Sequence, residues 1–236
     1  SALLGVANGA DPLLVVVPEF VVRKIGQSNP LAGGSNTITV TIQSNVNLAQ
    51  ATDSSVVTIS GLTNAPDAAS LGLTSVESSG ADLFSDGTNQ GKGALSSGTL
   101  TLTVHTGQTV AAGTQYAFSF TITNPSSAQG AASAVIEASG TASFAQGAML
   151  APGSALLGVA NGADPLLVVV PTFSLKSIQQ STPMFGSFNT MSVSLTANFN
   201  VPTGSTVTIT GLTGSQTADN ASLAVSSTSD LLGTSG

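Results

Sequence analysis

The chain holds a single histidine, His105, at the end of the run TLTLTV (Thr99 to Val104). A serine hydrolase needs an imidazole held between a nucleophile and a carboxylate. His105 is followed by Thr106 and Gly107, which are turn residues, and no GxSxG nucleophile elbow occurs. It therefore reads as a solvated strand-end residue. Asp82 and Asp86 stand four apart in ADLFSDGTNQG, with Asn89 just beyond. Such an oxygen-rich loop suits calcium, but the Asp-x-Asp-x-Asp-Gly series and closing Glu of an EF-hand are missing. Asp, Gly and Asn are also what ordinary turns use. NGADP (Asn8 to Pro12, again Asn161 to Pro165) is a second oxygen-bearing turn, read as a connector into the LLVVV that follows; a metal bridge is the sharper alternative. With no cysteine there are no disulfides and no thiolate metal sites. No catalytic, cofactor-binding or metal-ligating residue is assigned, and the chain is read as a non-enzyme. One N-glycosylation sequon stands open, Asn220-Ala221-Ser222, because proline blocks Asn124-Pro125-Ser126.

Any site must be held by elements, and the composition says of what kind. Only 6% of the 236 residues are charged while 41% are hydrophobic, and 34 Ser and 29 Thr supply the polar surface. Four basic residues, Arg23, Lys24, Lys92 and Lys176, face eleven acidic ones, for a net charge of −7. Nucleic acid and anionic membranes both call for clustered Lys and Arg, so neither is an expected partner. The longest unbroken apolar run, Leu13 to Val17, is five residues, far short of the about 20 that span a bilayer, so no membrane insertion is expected. The sequence opens on Ser1 without a charged-then-apolar leader, so any targeting segment is expected to lie outside it.

Thr alternates with Ile38, Val40 and Ile42, and again with Leu100, Leu102 and Val104; Phe118, Phe120 and Ile122 continue the pattern. A period of two puts one face on a core and the other in water. Further strands are expected at Phe20 to Ile25, Val56 to Ser60, Leu71 to Val76 and Ala134 to Ala138, whereas no helical apolar stripe occurs. The expected fold is all-β, of immunoglobulin-like β-sandwich type. The Thr-x-Thr ladders are then the wet faces of its strands.

The chain also repeats itself. SALLGVANGADPLLVVVP occupies residues 1 to 18 and again 154 to 171, eighteen identical positions at an offset of 153. NTITVTIQSNVNL (Asn36 to Leu48) answers to NTMSVSLTANFNV (Asn189 to Val201), and VVTISGLT (Val56 to Thr63) to TVTITGLT (Thr206 to Thr213). The unit is about 150 residues. Leu13, Leu14, Val15, Val16 and Val17 lie between Pro12 and Pro18; Leu166, Leu167, Val168, Val169 and Val170 lie between Pro165 and Pro171. Each run is expected to be a short terminal strand buried on both faces, forming an inter-module junction whose flexibility the prolines limit. The expected domains are a terminal strand of a preceding module (1–17), a complete sandwich module (18–170) and the first part of a following one (171–236). The last of these stops at SDLLGTSG (Ser229 to Gly236), which is similar to Ala81 to Gly87.

Taken together, NTITVTIQSNVNL, VVTISGLT, GTLTLTVHTGQTVAAGTQYAFSFTITNP and AVIEASG resemble the modules of very large tandem-repeat extracellular proteins of algae and other protists. The resemblance implies a secreted filament or cell-surface protein, such as one of flagellar hairs (mastigonemes), and brings no catalytic residues. The expected partners are copies of the chain itself, with glycans as attachments. A cell-surface adhesin stalk, presenting a tip that binds glycan, ice or another cell, is the alternative.

Overall fold

The structure, a computed structural model, describes residues 1–49, 55–77, 80–140 and 142–226. Among these every regular element is a strand: β1 Phe20–Gln27, β2 Ser35–Ser44, β3 Leu48–Ala49, β4 Val56–Ser60, β5 Ala68–Gly72, β6 Thr74–Glu77, β7 Phe84–Ser85, β8 Lys92–Ser96, β9 Thr99–Val104, β10 Thr109–Val110, β11 Gln115–Thr123, β12 Val135–Ser139, β13 Phe144–Ala148, β14 Phe173–Gln180 and β15 Met191–Ala197. The chain divides into two compact bodies, Ser1–Val201 and Pro202–Gly236.

The first body is sandwich-like. One sheet runs β1-β2-β11-β6; the other runs β13-β12-β4-β9-β8-β5, with β7 also paired to β9. Alternation builds the core as expected: Ile38, Val40 and Ile42 of β2, Val57 and Ile59 of β4, and Leu100, Leu102 and Val104 of β9 belong to one buried cluster. Burying each such side chain contributes roughly 1.5–3 kcal/mol. Two aromatic pairs tie distant elements together: Phe20 of β1 with Phe144 of β13 at 4.8 Å, and Phe84 of β7 edge-on to Phe118 of β11 at 5.5 Å.

Two expectations about strands change. Leu71 to Val76 is not one strand, because the chain leaves one sheet at Leu73: β5 pairs with β8 and β6 with β11, in opposite sheets. The runs Leu13–Val17 and Leu166–Val170 are not strands either. Leu13 and Leu166 adopt left-handed conformations, φ 65° and 57°, which bend the chain out of extended geometry before a ladder can form. The second run makes only isolated bridges, Val168 to Gln129 and Val169 to Leu31.

The hairpin β14–β15 reproduces β1–β2. Phe173 faces Ala197 and Gln180 faces Met191, as Phe20 faces Ser44 and Gln27 faces Ile38, with the same bulge near the start. Burial does not follow: Ile25 is 2% exposed, and its counterpart Ile178 is 45% exposed. The reason is topological, since β2 is extended by β11 and covered by the opposing sheet, whereas β14–β15 is a two-stranded sheet. In the second body no strand forms among the described residues, and TVTIT (Thr206 to Thr210) is irregular although its counterpart is β4. β4 draws its ladder from β9 and β12. SDLLGTSG (Ser229 to Gly236) lies outside the described residues.

Candidate functional site

The repeated segment folds the same way in both copies. Leu3 and Val6 exchange backbone hydrogen bonds, as Leu156 and Val159 do, and Asp11 N donates to Asn8 O as Asp164 N does to Asn161 O. The left-handed residues also coincide: Leu4 and Leu157, Gly5 and Gly158, Asn8 and Asn161, Leu13 and Leu166. Several non-glycine residues in that region cost about 1–3 kcal/mol each, which only an over-determined local structure sustains. Gly5 and Gly158 could be nothing else: at φ +78° and +76°, a Cβ would collide with the Asn47 and Asn200 side chains respectively.

Each copy grips the hairpin that follows it. Asn47 N donates to Leu4 O at 2.8 Å, and Asn200 N to Leu157 O at 2.7 Å. Asn45 Nδ2 donates to Val17 O at 2.8 Å, and Asn198 Nδ2 to Val170 O at 3.0 Å. The same asparagines accept from the chain just beyond, Glu19 N and Thr172 N.

The second copy also grips the sandwich that precedes it. Gln27 Nε2 donates to Gly162 O and Leu167 O, both at 2.8 Å, while Leu166 N donates to Gln27 Oε1 at 2.8 Å. Behind Gln27, Asn36 Nδ2 donates to Gln27 Oε1 and to Asn124 Oδ1, and Asn124 Nδ2 in turn reaches Asn29 O and Leu31 O. Gln129 Nε2 donates to Leu166 O at 2.7 Å, and its backbone exchanges two hydrogen bonds with Val168. Val169 N donates to Pro30 O and Ala32 N to Val169 O. Leu166 and Val168 are each 1% exposed, and Pro165 is buried with them. No described buried side-chain nitrogen or oxygen is left without a partner, so the polar set beneath these two side chains is closed rather than strained.

In the first copy Leu13 is 97% and Val15 84% exposed, and Leu14, Val16, Val17 and Pro12 are exposed as well. Of the expected junction residues, then, the structure brings Pro165 to Val169 together on the sandwich end. Val170 and Pro171 lie at the surface, as do Leu13 to Val17. The sequence reading missed Gln27, Asn36, Asn124 and Gln129. Asn36 had a signal: it falls on the inward parity of Ile38, Val40 and Ile42, where a polar residue must find partners, and Gln27 and Asn36 return as Gln180 and Asn189 at the same offset. Gln180 Oε1 accepts from Asn189 Nδ2 just as Gln27 does from Asn36. Gln129 had none.

The remaining candidates sit elsewhere. His105 is half-buried, its backbone N donating to Leu83 O, with no imidazole hydrogen bond among the described residues. Asp86 turns its carboxylate toward β5 and its own loop, accepting from Ser70 Oγ of β5 at 2.6 Å and from Asn89 N and Thr88 N. The Ser70 hydroxyl and then the Asn89 donors hold its carboxyl well below the usual carboxylate range. Among the described residues no three His, Cys, Asp or Glu gather, and no helix is long and apolar enough to cross a membrane. Asn220 is exposed, its Oδ1 accepting from Ser222 N. A groove of about 330 Å³ beside the second copy is lined by Ile25, Ala132, Met149, Asp164 and Pro165, which offer a single charged group.

Compared with protein-family models, curated proteins and solved structures, the chain matches none.

Proposed function

We propose that this chain is a repeat region of an extracellular structural protein, a filament or surface fibre, in which immunoglobulin-like β-sandwich modules follow one another in tandem and the repeated segment is the joint. One observation carries the reading: residues 154–171 hold the end of one sandwich through Gln27 and Gln129 while the same segment is held by Asn198 and Asn200 just after β15. A segment that must satisfy two neighbours at once tolerates change poorly on either side, which accounts for eighteen identical positions amid diverged surroundings.

The mechanism is mechanical. Pull along the chain is shared among hydrogen bonds on both sides of the joint, and the prolines with the left-handed leucines leave the joint little freedom to swing. The apolar face of β14–β15, with Ile178 and Val193 half exposed, is completed by a segment of a neighbouring copy in the manner of strand complementation. Hydroxyl-rich strand faces and Asn220 carry glycans on the outside. Negative-stain microscopy of the native material tests this: fibres with a regular axial repeat are expected, and dispersed globular particles would overturn it. Fibres that end in a distinct non-repeating head would make the chain an adhesin stalk instead.

A further inference from the structure

We infer that the first copy, residues 1–18, is a plug whose socket is the sandwich end formed by Gln27, Asn36, Asn124 and Gln129 on a second copy of this chain. The inference rests on the modular reading above and deepens it by naming the surface and its partner. The argument is one of chemical identity. Residues 1–18 and 154–171 are the same eighteen residues, and they hold the same internal hydrogen bonds and the same left-handed positions. The second copy shows what that shape binds: Leu166 and Val168 enter the socket, Leu166 N and Leu167 O meet Gln27, and Leu166 O meets Gln129.

The first copy presents every one of those groups to solvent. Leu13 and Val15 are almost fully exposed, and Leu13 N, Leu13 O and Leu14 O make no hydrogen bond among the described residues. Because the exposed copy already has the bound conformation, docking need not order it first, which removes much of the entropic penalty of association. The plug-and-socket contact joins two different surfaces, so repeated use gives a head-to-tail series rather than a closed pair. Within one chain, residues 164–170 fill their own socket at an effective concentration on the order of millimolar, so a plug from a second copy competes poorly until that socket is emptied.

Leu166→Asp with Val168→Asp empties it. By analytical ultracentrifugation the wild-type chain is expected to stay monomeric at micromolar concentration, and the double variant to form a concentration-dependent ladder of multiples. Adding Leu13→Asp and Val15→Asp should return the ladder to monomer. A labelled peptide of residues 1–18 should bind the double variant at least tenfold more tightly than the wild type, and the same peptide with Val15→Asp should not. If circular dichroism shows the aspartate variant unfolded, Leu166→Ala with Val168→Ala replaces it in both measurements. A folded, emptied socket that ignores the peptide, or a ladder indifferent to Leu13 and Val15, overturns the inference. Peptide binding together with an absence of fibres in native material would remove the filament reading and leave the docking intact.

Discussion

Gln27 is the residue on which the sandwich end closes. It lies on an apolar alternation and is nearly buried, yet its amide serves Gly162, Leu166, Leu167 and Asn36 at once. Replacing it with alanine leaves those groups facing a dry gap, at about 1–3 kcal/mol for an unsatisfied buried polar group. Gln27→Ala is therefore expected to lower stability by about that amount in urea denaturation; an unchanged midpoint would mean that water reaches the site freely. Asp86 allows a prediction in pH. Its hydrogen bonds favour the ionised form and depress the folded value below the unfolded one, so its contribution is complete above the ordinary Asp pKa of about 3.9 and lost as pH falls beneath it. The wild type should lose stability between pH 4 and pH 2 more steeply than Asp86→Asn, with the two curves parallel at neutral pH.

At the scale of elements, β1–β2 and β14–β15 are the same hairpin in different company. They share register and bulge, so the local sequence is enough to pair them. They differ in burial because a strand pair has no interior until a third strand and a second sheet arrive. Backbone amides open most readily where few buried contacts hold them. Hydrogen exchange is expected to label β14–β15 orders of magnitude faster than β1–β2, and equal protection would show that something already covers the second hairpin. Most of the ladder elements were legible because alternation is strong: β2, β9 and β11 appear where Ile38, Leu100 and Phe118 set the parity. β8 and β13 were not, since KGALS and FAQGA carry glycine and alanine where a pattern would need larger apolar residues. The division of Leu71 to Val76 between two sheets was equally hidden, because the change of sheet at Leu73 is set by the partners β8 and β11 rather than by the local sequence.

For the whole molecule the consequence is directional. A plug of the kind proposed for residues 1–18 and a socket on the sandwich are unlike surfaces, so once a socket is opened their contact runs head to tail. On the filament reading proposed above, Val15→Asp combined with Val168→Asp disables the plug and its seated twin together, and electron microscopy of that variant is expected to show no fibres. Intact fibres from that variant would place the joint elsewhere. The low charge content leaves the surface polar chiefly through hydroxyl groups, so the proposed contact would be set by fit rather than by charge pairing.

The sequence by itself determined that the chain is all-β, that its apolar residues face one way along each strand, and that one eighteen-residue segment is written twice. Those are local matters of period and identity. Only the tertiary structure decided that the second copy of this segment seats on Gln27 and Gln129. Burial belongs to what surrounds a side chain, and residues 27, 36, 124 and 129 come together only when β1, β2 and the chain beyond β11 have taken their places.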